Sequence, residues 1–232
     1  IIMKVELVSK TTSSIEGVSS AEELVVYTAR VSNPSNQMNM ETADRLIAYL
    51  IKNKHWSPFE MVDMTVSIET SRAIAQQILR HRSFSFQEFS QRYAEVTNFE
   101  PIQLRKQAAT NRQSSSEEFN PHLLEFTDPN DPTKVLGYFS AKEVIEAHIK
   151  DSERIYKELL KQGVAKECAR MVLPLTTQTK IYMKGSVRSW IHYLQIRCDE
   201  HTQLEHRQIA LEIAKIFESN FPNIAKALNF NY

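Results

Sequence analysis

Glycine is scarce in this chain: four in 232 residues, at Gly17, Gly137, Gly163 and Gly185. No two stand close enough to form GxGxxG or GxxxxGK, the loops that bring backbone amides up to phosphate. A nucleotide bound here must therefore be gripped by side chains. Cysteine is scarcer still. Cys168 and Cys198 have no CxxC spacing, which gives neither a disulfide framework nor a zinc site and predicts a reducing, cytoplasmic setting. Both thiols are expected to be buried and inert. No apolar run approaches the roughly 18 residues of a membrane helix, and no charged-then-apolar leader is present, so no membrane partner is expected. The opening Ile1-Ile2-Met3 leads us to expect a natural start at Met3. Net charge is missing as well, since Lys+Arg and Asp+Glu are both 28. A general nucleic-acid binder usually shows a basic excess over its whole domain. Any basic cluster is therefore local and points to a bounded anionic ligand.

Periodicity supplies the organisation. Residues 3–9 alternate like a half-buried strand, and Ser20 with Glu23 forms a capping-box pattern ahead of a helix AEELVVYTARV. A second helix is predicted over about Glu41 to Lys54, with Leu46, Ile47 and Leu50 on one face. HWSPFE (55–60) reads as a turn anchored by Pro58. The clearest strand follows, with Val62, Met64, Val66 and Ile68 alternating with Asp63, Thr65, Ser67 and Glu69. Ser71 to about Arg82 reads as a helix whose apolar stripe is Ile74, Ile78 and Leu79. The polar stretch from Arg105 to Thr133, with SSSEE and DPNDP, is the candidate for a mobile loop or lid. Helices are predicted over Ala141 to Gln162, stopping at Gly163, and over Val164 to Val172. A strand over Thr176 to Met183 and helices over Val187 to Asp199 and His201 to Ser219 complete the pattern. The fold class expected is α+β, a single domain (1–232) with a mixed or antiparallel sheet and a helix-rich C-terminal half.

Residues 80–93, RHRSFSFQEFSQRY, gather three arginines, a histidine and four aromatic rings around one glutamate. Arginine offers a planar fork of donors that matches phosphate oxygens and stays charged, and the rings could stack on a base or a flavin. A solvated basic face beside core phenylalanines would give the same composition. So would a groove for single-stranded RNA or DNA, where arginines interleave with stacking rings. A second set, Arg170, Arg188, His192, Arg197 and His201, lies towards the C-terminus. Trp190 and Leu194 on the same predicted helix read as core. HTQLEH (201–206) is neither HExxH nor HxxEH, so no metal site is expected. Ser90 is not in GxSxG and neither cysteine has an activating motif, which argues against nucleophilic catalysis.

The separated motifs together have a counterpart. Arg80-His81-Arg82, seven residues, then Ser90 and Arg92-Tyr93 resembles the signature of the flavin-dependent thymidylate synthases, the ThyX-type family. HWSPFE resembles that family's His-x-Ser/Thr-Pro-Phe-Glu, ARMVLP its Ala-Arg-x-x-Leu-Pro, and RSWIHYLQIRCDEHTQLE its C-terminal Arg and His-x-Gln-x-Glu elements. The resemblance runs over nearly the whole chain, with the motifs in the family's order.

That resemblance implies FAD as cofactor and dUMP as substrate, both phosphate esters bearing flat rings. It implies NADPH and methylenetetrahydrofolate as co-substrates, tetrahydrofolate as product, and a homotetramer whose sites draw on several subunits. Carried over, His55, Ser57, Glu60, Arg80, His81, Arg82, Glu88, Arg188, His192 and His201 contact the flavin. Gln77, Arg80, Glu88, Ser90, Gln91, Arg92, Arg170 and Arg197 hold dUMP. Arg170 would orient or polarise the uracil, and Ser90 would bind rather than attack. His192 stands where some members have asparagine, and Thr202 and His206 depart from the commonest pattern.

Overall fold

Residues 3–96 and 98–229 are described in the computed structural model of the protein. In chain order they form β1 (Lys4–Lys10), α1 (Ala21–Ala29), α2 (Ala43–Lys52), β2 (Asp63–Ser71), α3 (Arg72–Ile78), β3 (Ser85–Glu88), β4 (Arg105–Gln107) and β5 (Ser115–Glu118). There follow β6 (His122–Asp128), β7 (Asp131–Ser140), α4 (Ala141–Lys161), α5 (Lys166–Ala169), β8 (Gln178–Ser186), α6 (Val187–Arg197), α7 (Leu204–Asn220) and α8 (Pro222–Leu228). The α+β class and the helix-rich C-terminal half match the sequence pattern. The described residues fall into two compact units: a larger one of residues 3–70, 74–88 and 180–229, and a smaller one of residues 71–73 and 89–179.

The larger unit is built on a sheet of order β1-β2-β8-β3, in which β1 pairs antiparallel with β2 and β3 antiparallel with β8. The alternation in β2 becomes burial, with Val62, Met64, Val66 and Ile68 all inaccessible to solvent. Ser186 caps α6 through the Ser189 amide. The helix is then fastened to the sheet by Val187 N–H to the Val62 carbonyl at 2.8 Å and by the Trp190 indole N–H to the Met64 carbonyl at 2.9 Å. A stripe on α7, Ile209, Ala210, Ile213, Ala214 and Phe217, completes this core. The capping box predicted for α1 is present at Ser20 and Glu23. Its buried neighbour Glu22 accepts the Ile224 N–H at 2.7 Å and so caps α8 from a distance, while burial pushes its carboxyl above the usual range.

In the smaller unit, α4 opens on a second capping box, Ser140 with Glu143, and ends before Gly163, whose φ is +83°. Tyr156 on α4 is buried with Val96 and Ala169, and its hydroxyl accepts the Val96 N–H. Arg72 and Ala73 donate their amides to the carbonyls of Thr177 and Leu175.

The structure corrects several expectations. Arg105 to Thr133 is not a structureless lid: it folds into the antiparallel hairpin β4–β5 and enters a second, β6–β7. Those strands are exposed on nearly every residue, so the apolar alternation that marks a half-buried strand was never required of them. β1 is also not half-buried. It is an edge strand with a bulge between Leu7 and Ser9, which leaves Leu7 39% and Val8 50% exposed. α3 ends at Ile78 rather than near Arg82, and the helix predicted over Val164–Val172 is α5 followed by a 3-10 turn. Of the two thiols expected to be buried, Cys198 is and Cys168 is exposed.

Gly185 on β8 has a steric reason. A Cβ there would stand 2.4 Å from the Phe84 ring, which packs edge-on against Trp190 at 4.7 Å. Gly185→Ala should force that ring out of its slot and lower stability by about 1–3 kcal/mol, the range for overpacking a filled core, read as a drop in the urea midpoint. An unchanged midpoint would show that Phe84 is free to move.

Candidate active site

Each predicted residue reaches its place through local backbone geometry. α2 closes with the His55 N–H on the Leu50 carbonyl and the Lys54 N–H on the Ile51 carbonyl, with Lys54 itself left-handed at φ 58°. This is the Schellman pattern, in which glycine usually holds the left-handed position. It delivers His55 to a 3-10 turn over Ser57–Glu60, where Phe59 is buried as an anchor and His55, Ser57 and Glu60 are exposed. The Glu60 carboxylate accepts from Arg188 on the first turn of α6. One residue on, Ser189 donates its hydroxyl to the Ser83 carbonyl at 3.2 Å, which ties the Arg80–Arg82 turn to the same end of α6. Arg80 and Arg82 are exposed and have no carboxylate partner among the described residues.

His81 behaves differently from its flanking arginines. Half-buried, it lies edge-on to Tyr193 at 4.9 Å, and its Nε2 accepts from Arg197 Nε at 2.9 Å. An imidazole accepting at Nε2 carries its proton on Nδ1 and is neutral. Burial, with the Arg197 charge added, holds its pKa down to about 4. Behind it lies His206 on α7, with no solvent exposure and a pKa held down to about 3, chiefly by burial and then by Arg197. Tyr193 bonds its hydroxyl to His206 Nε2 at 3.1 Å, and burial pushes the phenol well above its ordinary range. Gln77 bridges His206, at 3.3 Å, and Gln203, at 2.6 Å. The structure thus brings Gln77, His81 and Arg197 together. His192 is exposed on α6, and exposed His201 bonds Asp199 at 2.7 Å. Glu88, at the end of β3, is half-buried.

Ser90, Gln91, Arg92 and Arg170 belong to the smaller unit. The Ser90 carbonyl accepts the amides of Tyr93 and Ala94, and Lys166 on α5 donates to the Tyr93 carbonyl at 3.3 Å. Arg170 begins the 3-10 turn directly after α5, and its Nε donates to the Glu167 carbonyl at 3.3 Å. Lys166 therefore links the Ser90 turn to the segment carrying Arg170. Arg92 is exposed, whereas Gln91 is buried with its amide nitrogen unpartnered among the described residues. An orphan donor inside the protein is costly unless a ligand or water completes it.

Tyr193 and Gln203 were not singled out by the sequence reasoning, and His206 entered it only within the rejected metal motif and as a departure from the family pattern. The signal for His206 is its phase: it precedes Ile209, Ala210, Ile213 and Ala214 at helical spacing and so sits on the buried stripe of α7. Cys198 cannot act as a nucleophile near neutrality, because burial pushes its thiol up to about 12. Among the described residues no three His, Cys, Asp or Glu side chains converge as a metal site would require.

The donor set fits a phosphorylated, ring-bearing cofactor: Arg80 and Arg82 without a carboxylate partner among the described residues, Arg188 paired with Glu60, and exposed His55 and Ser57 on the turn that carries Glu60. Comparison with known proteins agrees with that chemistry. A family model described as "Thymidylate synthase complementing protein" matches residues 10–223. A "Flavin-dependent thymidylate synthase" of Synechocystis sp. is 50% identical over 211 residues, covering 91% of each chain. A "Probable flavin-dependent thymidylate synthase" of Paramecium bursaria Chlorella virus 1 is 47% identical over 98% of this chain and 100% of its own. Among solved structures, the UMP/dUMP methylase PolB from Streptomyces cacaoi, bound with 5-Br dUMP, aligns with a TM-score of 0.73 at 27% identity over 98% of this chain and 94% of its own.

The depressed imidazoles have a measurable consequence. A histidine whose folded pKa lies below its unfolded 6.5 binds fewer protons folded than unfolded between the two values. Its contribution is therefore complete above about 6.5 and is lost as pH falls towards about 4 for His81 and about 3 for His206. Unfolding free energy should fall between pH 7 and 5, and His206→Gln, which removes one of the two imidazoles, should make that slope shallower. Equal slopes in the two proteins would show that His206 titrates normally.

Proposed function

The chain belongs to the thymidylate synthase complementing protein family and is an FAD-dependent thymidylate synthase, and from that premise we propose how its side chains divide the work. The substrate is dUMP, methylated at C5 to dTMP, with methylenetetrahydrofolate as carbon donor, NADPH as reductant and tetrahydrofolate released. The observation that carries this reading is the Ser189–Ser83 bond, which ties the turn carrying Arg80 and Arg82 to the first turn of α6, where Arg188 stands. These arginines, with His55, Ser57 and Glu60, would hold the flavin. His192, His201 and Glu88 would complete its surroundings. FAD, when bound, supplies the hydride that reduces the transferred methylene to a methyl.

On the nucleotide side, Ser90, Gln91 and Arg92 would bind dUMP, with Gln77, Arg80, Glu88 and Arg197. Gln91's buried amide is a ready donor for a carbonyl or phosphate oxygen. Arg170 cannot take a proton at working pH, so its role is to orient the pyrimidine and stabilise the negative charge that develops on the ring as C5 becomes nucleophilic. Ser90 has no adjacent base and serves as a hydrogen-bonding group rather than an attacking one.

We propose that residues 1–232 act as one functional domain. Tyr93, 88% exposed beside Arg92, and Met171, 80% exposed beside Arg170, are large apolar side chains at the substrate residues that their own chain leaves uncovered. A homotetramer in which neighbouring subunits complete each site, the assembly we propose, would give these side chains a cover. The two free cysteines fit a reducing, cytoplasmic location.

Purified protein should show a flavin absorbance spectrum that NADPH bleaches anaerobically, faster when dUMP is present. Arg92→Ala and Arg170→Ala should each lower kcat/KM for dUMP by roughly 30-fold or more, the effect of removing one partner of a charged hydrogen bond, with the far-UV circular dichroism unchanged. Near-normal turnover in either variant would remove that residue from the site.

A further inference from the structure

Four hydrogen bonds in the larger unit run in one direction. The Tyr193 hydroxyl, fully buried, has His206 Nε2 at 3.1 Å. His206 Nδ1 faces Gln77 Oε1 at 3.3 Å, Gln77 Nε2 faces Gln203 Oε1 at 2.6 Å, and Gln203 Nε2 faces the Glu205 carboxylate at 2.9 Å. Each end fixes the polarity independently. A buried phenol must donate its hydrogen. Its partner is Nε2 of a neutral ring, which places the imidazole proton on Nδ1 and requires an oxygen opposite it. At the other end a carboxylate only accepts, so Gln203 turns its amide nitrogen towards Glu205 and its oxygen towards Gln77. Both constraints put the Gln77 oxygen on His206 and its nitrogen on Gln203.

We propose that His206 is a positioning residue for nucleotide binding, which locks the side-chain amide of Gln77 in a single orientation. Gln77 then keeps one amide hydrogen and one oxygen lone pair at fixed places, and a ligand meets a preset donor rather than an amide free to flip. Preorganisation of this kind lowers the entropy lost on binding. The inference rests on the reading of Gln77 as a dUMP residue. His206 itself, with no exposed surface, acts only through Gln77.

Two replacements separate positioning from packing. The amide of asparagine falls where the imidazole Nδ1 lies, so His206→Asn keeps a donor for the Gln77 oxygen and abandons Tyr193. The amide of glutamine falls where Nε2 lies, so His206→Gln keeps an acceptor for Tyr193 and abandons Gln77. Both should lower the melting temperature of the FAD-loaded enzyme. In steady-state assays His206→Gln should raise KM for dUMP roughly three- to tenfold, the worth of one hydrogen bond, with kcat within twofold. His206→Asn should restore KM to near wild type. An equal change in both variants, or none in His206→Gln, would overturn the positioning role provided that Gln77→Leu raises KM. If Gln77→Leu leaves KM unchanged, the reading of Gln77 itself falls and takes the inference with it. Should His206→Gln fail to fold, Tyr193→Phe releases the tautomer while keeping the ring. A raised KM there supports the chain, and an unchanged one overturns it.

Discussion

What the site displays hangs on the docking of α6, and that docking hangs on Trp190. Its indole N–H reaches the Met64 carbonyl in the most deeply buried strand, and its ring meets Phe84 edge-on, a pairing worth about 0.5–1.5 kcal/mol beyond the area buried. With this residue fixed, helical geometry dictates the rest. Tyr193 and Leu194 turn inward, Arg188 and His192 turn outward, and Arg197 comes to lie over His81. The rotation of one helix thus separates the groups that can meet a ligand from those that hold the ligand-meeting groups in place.

A second constraint is electrostatic. His81 and His206 lie close to each other and to Arg197, and a cationic imidazole in such company would add like charge to a partly desolvated cluster. Both rings stay neutral and act as hydrogen-bond relays, leaving positive charge to the arginines at the surface. A protein of zero net charge can in this way present a strongly basic local face without becoming a general polyanion binder. Arg80 and Arg82, which face solvent without a carboxylate partner among the described residues, are two of the cations proposed to hold the flavin.

Where burial dictated residue choice, the structure was legible in advance. The alternation of β2 and the apolar stripe of α2 each follow from one face being dry, and the Ser20–Glu23 capping pattern follows from the unpaired amides at the start of α1. Legibility failed where no face is dry. The hairpins β4–β5 and β6–β7 present side chains to solvent on both sides, so their residues carry no period-2 signature, and paired contacts such as the stacking of His122 on Tyr138 give no pattern along the chain. The arginines of the site were readable because their motifs are local in sequence. The chain from Tyr193 to Glu205 was not, because its central bridge, Gln77, arrives from 129 positions away, and a buried histidine among aliphatic residues looks like a metal ligand or a filler until its partners are known.

The capping of α8 by Glu22 spans 202 positions, and β8 is inserted between β2 and β3, two strands made long before it. On the ribosome, therefore, β2 emerges with its row of Met64, Val66 and Ile68 and must wait for more than a hundred further residues before its second neighbour exists. The smaller unit, nearly continuous from 89 to 179, can order itself first. The larger unit closes only when the last helices leave the exit tunnel, so any truncated product of translation carries an uncovered apolar strand and is a natural client for chaperones or proteases.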